Sequence, residues 1–169
     1  MIRLEKFTEN DFDNLLSWIN SEEELIQFAG TIFSFPLTKE QLYKYVEIPG
    51  VNAFKVLYEE ENITIGHAEI FNSSENISKL CRIIIGDKNY RGKGIGKQIV
   101  KELLNICYNK FDSDKVELNV FDWNIYAIKC YEGAGFKINK NIHRDILVNG
   151  KKWTSVNMFI DKKTFFENK

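Results

Sequence analysis

The chain has 169 residues, with 23 Lys and Arg against 24 Asp and Glu and a net charge of −1, so no whole-molecule field draws it to nucleic acid or to a membrane surface. The length suits one domain, 1–169, with a sizeable core, and 13 Phe and 7 Tyr supply large side chains for that core or for a pocket wall. Cys81, Cys107 and Cys130 sit in apolar settings without Cys-x-x-Cys spacing, which points to reduced thiols in a cytoplasm, and two widely separated histidines, His67 and His143, give a zinc site little support.

Met1 to Glu5 lacks the apolar core of a signal peptide, and no apolar run approaches membrane-spanning length. Ile2 to Phe7 alternates apolar and polar residues, the pattern of a strand with one buried face. Thr8-Glu9-Asn10-Asp11 offers a cap for a helix carrying Phe12, Leu15, Leu16 and Ile19 on one side. Ser21-Glu22-Glu23-Glu24 opens a second, acidic helix start. The stretch from Phe28 to Pro36 is dense in aromatics without a clear period, and reads equally as loop packing or as a pocket wall. Thr38-Lys39-Glu40-Gln41 has the form of a capping box before Leu42, Tyr43 and Tyr45.

Asn52–Glu59, Ile63–Phe71 and Ile77–Ile85 read as an antiparallel meander, with a turn at Glu60-Glu61-Asn62 and a polar loop at 72–76. If Ala68 and Ile70 face the core, His67 and Glu69 share the opposite face. After Ile83-Ile84-Ile85 comes a loop, Gly86 to Asn89, and then Arg91-Gly92-Lys93-Gly94-Ile95-Gly96-Lys97. From Ile95 the apolar residues Ile99, Leu103 and Ile106 recur at helical spacing. The order is therefore strand, glycine-rich basic loop, helix. The first N–H groups of a helix lack internal partners and carry the positive end of its dipole, and glycines let an anion approach the backbone. Together with the charges of Arg91 and Lys93 this makes a phosphate or pyrophosphate site. The Walker pattern is absent. A dinucleotide fingerprint is half met by Gly92-x-Gly94, with Asp122 as its ribose acid, but Lys97 stands where its third glycine belongs.

Lys115 to Phe121 is a further strand. In Asn119 to Phe136, Asn124 is placed to cap a helix from Ile125 to Glu132, and Gly133 and Gly135 suit its end. Ile142–Leu147 and Lys152–Ile160 flank Asn149-Gly150, a strong hairpin signal.

The Arg91–Gly96 hexad resembles the Arg/Gln-x-x-Gly-x-Gly/Ala motif of the GNAT superfamily of N-acetyltransferases. Asn124, Ala127, Tyr131, Gly135 and Phe136 fill every named position of its Asn-x-x-Ala-x-x-x-Tyr-x-x-x-Gly-Phe signature. Arg144-Asp145 followed by Asn149-Gly150-Lys151 is similar to the branch holding the ribosomal-protein alanine and spermidine acetyltransferases. The resemblance implies an α/β (α+β) fold with a mixed, mostly antiparallel central sheet flanked by helices. It implies acetyl-coenzyme A as co-substrate, no metal, and an amine acceptor: a peptide N-terminus, a polyamine or another small amine. No nucleic acid or membrane partner is expected, and a homodimer is compatible.

By the same resemblance the cofactor would lie against Ile84, Ile85, Gly86, Arg91, Gly92, Lys93, Gly94, Ile95, Gly96, Lys97, Asn119, Asn124, Ala127 and Tyr131. A bulge in the Ile83–Gly86 stretch would offer N–H groups to the thioester carbonyl, and Gly86 is compatible with one. Tyr131 would be the general acid, a phenol protonated at neutral pH. Glu69 is a candidate base, with Glu117 or a water relay as alternatives. Residues 18–48, with Trp18, Phe28, Phe33, Phe35, Tyr43 and Glu22 to Glu24, would shape the acceptor site. A non-catalytic acyl-coenzyme A-binding module on the same fold, and a dinucleotide oxidoreductase, are the rival readings.

Overall fold

The computed structural model describes residues 1–72 and 76–167. The polar loop expected at 72–76 therefore lies mostly outside the described residues. Among those residues seven strands form one sheet: β1 (Ile2–Lys6), β2 (Val51–Tyr58), β3 (Ile63–Asn72), β4 (Ile77–Ile85), β5 (Lys115–Phe121), β6 (Lys137–Val148) and β7 (Lys151–Asp161), in the order β1-β2-β3-β4-β5-β7-β6. Neighbours are antiparallel except β4 and β5, which run parallel. The β6–β7 hairpin closes through a two-residue turn with Asn149 at φ 50° and Gly150 at φ 75°, the left-handed pair that this turn requires.

The helices are α1 (Phe12–Trp18), α2 (Glu22–Ala29), α3 (Lys39–Val46), α4 (Ile95–Asn109), α5 (Ile125–Glu132) and α6 (Lys162–Glu167). They cover both faces of the sheet. On one, Ile95, Ile99, Val100, Leu103, Leu104 and Cys107 of α4 pack onto Ile65, Ala68, Ile70, Leu80, Val116 and Leu118. On the other, Phe12, Leu15, Leu25, Phe28, Leu42 and Tyr45 of α1 to α3 form a second core with Phe7 and, at its margin, Ile84. The alternation along β3 serves both: Ala68 and Ile70 face α4, while His67 meets Phe7 and Phe28 and Glu69 meets Tyr45.

The caps hold with one change. Ser21 and Thr38 accept from the N–H groups of Glu24 and Gln41. The Gln41 side chain does not complete a box at Thr38. It bonds Ser34 and Pro36 instead, tying down the aromatic loop.

Two features of β4 place the site. Pairing with β5 covers only Ile77–Leu80 against Lys115–Leu118. Beyond it β4 continues beside β3 to Ile85, and β5 beside β7 to Phe121, so the two strands part. The β3–β4 register also slips: His67 faces Ile84 and Glu69 faces Cys81, so Arg82 and Ile83 together oppose Ala68. The bulge thus lies at Arg82–Ile83 rather than at Gly86. Gly86 has another reason to be glycine, because a Cβ there would fall within the Trp18 indole at the end of α1.

Candidate active site

Gly92 and Gly94 adopt φ 75° and 76°, with open space where a Cβ would stand. Backbone conformation, not crowding, demands glycine there. Gly94 is the N-cap of α4, and the first helical bond runs from Gln98 N–H to the Gly94 carbonyl at 3.3 Å. The N–H groups of Ile95, Gly96 and Lys97 therefore have no intrahelical acceptor. Gly96 lets α5 come close, since a Cβ on it would lie 3.2 Å from the Cys130 Sγ. Lys93 and Lys97 are exposed, Lys93 over the Tyr90 ring at 5.3 Å. Arg91 is not a free cation. Its Nε donates to the Ile85 carbonyl at 2.8 Å and an Nη donates to Gly86 at 3.4 Å, fastening the loop to the end of β4.

Tyr131, on α5, packs half-buried against the α4-side core. Burial raises its phenol pKa, and the Cys130 and Cys81 thiols add to the rise. Cys81 is one residue past Leu80, the last β4 residue paired with β5. Asn124 caps α5 by accepting from Ala127 N–H at 3.3 Å. Asn119 stands exposed on β5, past the last paired position, and its Oδ1 accepts from Asn157 Nδ2 at 3.2 Å. Ile84 and Ile85 point to opposite cores, and Gly86 N–H donates to the Ile65 carbonyl at 2.9 Å. Asn157, unmarked by any motif, is buried beside Asn119 with its own Oδ1 unpartnered. Its register opposite Asn119 is the only signal that could have found it.

Glu69 is wholly buried on the α1–α3 side. The Arg82 guanidinium grips both of its oxygens, and the Tyr45 hydroxyl donates to one of them. His67, also wholly buried, has Nδ1 2.8 Å from the Arg82 carbonyl. A carbonyl only accepts, so Nδ1 carries the proton. Burial lowers the His67 pKa to about 4, which keeps the ring neutral. Arg82 and Tyr45 are partners that no local sequence pattern indicated. Glu117 is elsewhere, paired with Lys115 at 2.6 Å.

In the 18–48 region Phe28 is buried and Phe33 half-buried against Tyr45, while Phe35 and Tyr43 are exposed. The hairpin tip reaches α2, where Asn149 Nδ2 donates to Glu23 at 2.6 Å. Among the described residues no His, Cys, Asp and Glu group could hold a metal, and no helix is long and apolar enough to cross a membrane. The open glycines, the unpaired helix N–H groups and the adjoining gap between β4 and β5 fit a ligand that carries phosphates at one end and an extended arm at the other.

The sequence model of the acetyltransferase (GNAT) family matches residues 14–136. A probable spermine N(1)-acetyltransferase of Bacillus subtilis subsp. natto is 35% identical over 66 residues, which span 39% of this chain and 41% of that protein. An aminoglycoside N(6')-acetyltransferase type 1 of Klebsiella pneumoniae is 22% identical over 151 residues, 80% of this chain and 74% of the relative. The crystal structure of spermidine N-acetyltransferase from Vibrio cholerae in complex with CoA and spermine superposes with a TM-score of 0.82 over 98% of each chain, at 18% identity. It has the same fold.

Proposed function

We propose that this chain, which belongs to the acetyltransferase (GNAT) family, is a single-domain enzyme that moves an acetyl group from acetyl-coenzyme A to a primary amine, by direct attack with both substrates bound. The observation that carries the reading is Tyr131 on α5, one residue from Cys130, whose Sγ would lie 3.2 Å from a Cβ on Gly96 at the start of α4.

Acetyl-coenzyme A supplies the acetyl group as a thioester. The N–H groups of Ile95, Gly96 and Lys97, reached over Gly92 and Gly94, bind the pyrophosphate with Lys93 and Lys97 beside it, and Arg91 sets the loop's position. Ile84, Ile85, Gly86, Asn119, Asn124 and Ala127 border the extended arm. N–H groups of the bulged β4 edge polarise the carbonyl. As the N–C bond forms and the C–S bond breaks, Tyr131 gives its proton to the departing sulfur. The proton lost by the amine passes to solvent, from which Tyr131 is restored. A phenol whose pKa burial has raised stays protonated through the working range, as this role requires.

The acceptor is a small cationic amine. The relatives' names point to polyamines and aminosugars, and the exposed carboxylates of Glu22 to Glu24 stand on α2 beside the hairpin tip. Cys81, Cys107 and Cys130 are free thiols, which suits a cytoplasm.

The test is acetyl transfer to spermidine, an aminoglycoside and an alanyl peptide, with wild type and Tyr131→Phe. Wild type should acetylate at least one amine. Tyr131→Phe should lose about a hundredfold in kcat, the low end of general acid catalysis, with coenzyme A affinity unchanged. Equal turnover removes Tyr131 from the mechanism. Coenzyme A binding without transfer to any amine means a binding module.

A further inference from the structure

Arg82 is a non-glycine residue at φ 47°, within the bulge, two residues past the last β4–β5 pair. A side chain in the left-handed region persists only when its surroundings over-determine it, and bulges gather beside active sites, where they re-aim backbone groups. Here the restraints can be named. The Arg82 carbonyl accepts from His67 Nδ1 at 2.8 Å. Its guanidinium grips Glu69 with two nitrogens and lies 5.3 Å over the Tyr45 ring, and Tyr45 donates to the same carboxylate. Glu69 and His67 are completely buried and Tyr45 nearly so. The restraints come from one neighbouring strand, β3, and from α3. They converge on the one peptide segment that the proposed reaction needs held still.

We propose that Glu69, Arg82, Tyr45 and His67 form a positioning device that locks the Arg82–Ile83 bulge so that the β4 edge presents its N–H groups to the thioester carbonyl, and that Glu69 is an anchor and not the base that takes the amine's proton. The proposal rests on the acetyl-transfer reading and deepens it. A wholly buried carboxylate whose two oxygens are both engaged, by a guanidinium and a phenol, is held as an acceptor inside the core. Loss of its partner would leave a buried charge alone, which is more harmful than loss of both.

That asymmetry makes the test. Glu69→Gln, Arg82→Met and the double variant are compared with wild type for kcat against pH from 6 to 9, for KM of the amine, for melting temperature, and for dissociation constants of acetyl-coenzyme A and of coenzyme A by calorimetry. None of the titratable groups facing Glu69 changes charge in that window: burial holds His67 down at about 4 and Cys81 up at about 11, and raises Tyr45 further. Arg82 stays charged, and Asp11 and Lys79 act on His67 and Cys81 through space.

Arg82→Met should lower kcat about a hundredfold, the scale of a reacting centre misplaced by roughly 1 Å. The double variant should recover part of that loss. Glu69→Gln should lose about tenfold at every pH, with the shape of its profile and the amine KM unchanged, because only alignment has been disturbed. Arg82→Met should also lose preference for acetyl-coenzyme A over coenzyme A. The proposal is overturned if Glu69→Gln removes a limb of the pH profile, or if the double variant is no faster than Arg82→Met. If Arg82→Met does not fold, the Glu69→Gln profile decides alone. A wild type that acetylates no amine would sink the acetyl-transfer reading. The two dissociation constants of wild type and Glu69→Gln would still decide the anchor, with an unchanged ratio counting against it.

Discussion

The two faces of the sheet build their shares of the site by opposite means. On the α4 side the groups proposed to bind the ligand are backbone N–H groups and exposed lysines within one short segment, Gly92 to Lys97, and the space around the two left-handed glycines is open. On the α1–α3 side they are side chains from β3, β4 and α3, buried and locked together. An open anion site gains from the fixed partial charges of a helix end without enclosing any charge. A buried ion pair has to satisfy every group it removes from water. The first should therefore respond to substitution in ligand binding, and the second in stability and alignment.

Gly94→Asp tests that division most severely. Asp tolerates the left-handed backbone better than most residues, so the fold should survive with its melting temperature nearly unchanged. A carboxylate facing phosphates costs several kcal/mol, so coenzyme A affinity should fall on the order of a thousandfold in calorimetry. Unchanged affinity would remove the loop from the binding site.

His67→Gln probes the buried side. An unfolded imidazole takes its proton near pH 6.5, whereas buried His67 holds out to about 4. The unfolded state thus binds more protons between those values, and stability is full above pH 6.5 and falls as the pH drops to about 4. Linkage puts the loss at about 3 kcal/mol. Urea midpoints at pH 7 and 4.5 should lie closer together in His67→Gln than in wild type, and an equal spacing would refute the neutral buried ring.

Asn124→Ala should give the smallest change. It deletes the cap of α5 and should cost about 1 kcal/mol in urea denaturation, with coenzyme A affinity down only a few-fold. A loss of binding as large as that of Gly94→Asp would mean that Asn124 serves the ligand more than the helix.

The local parts of this molecule were legible along the chain. The Asn149-Gly150 turn, the caps at Ser21 and Asn124 and the apolar stripe of α4 are set by neighbours within a few residues, and they appear where the pattern puts them. The Arg91–Gly96 loop was legible for the same reason, since a glycine-rich turn into a helix makes its site from its own backbone. The fastening of Arg91 was not legible, because its acceptors are carbonyls at the end of another element.

The sequence by itself determined the strands, the helices up to α5, the alternation that sends His67 and Glu69 away from Ala68 and Ile70, and the glycine-rich turn into α4, because each depends on chain-local period, caps or backbone freedom. Only the tertiary structure decided where β4 leaves β5, that the bulge falls at Arg82–Ile83, and that Glu69 meets Arg82 and Tyr45. Those depend on strand register and on the packing of α3 over the sheet. A buried charge takes whichever partner the fold brings within reach, and no spacing along the chain records which one that will be.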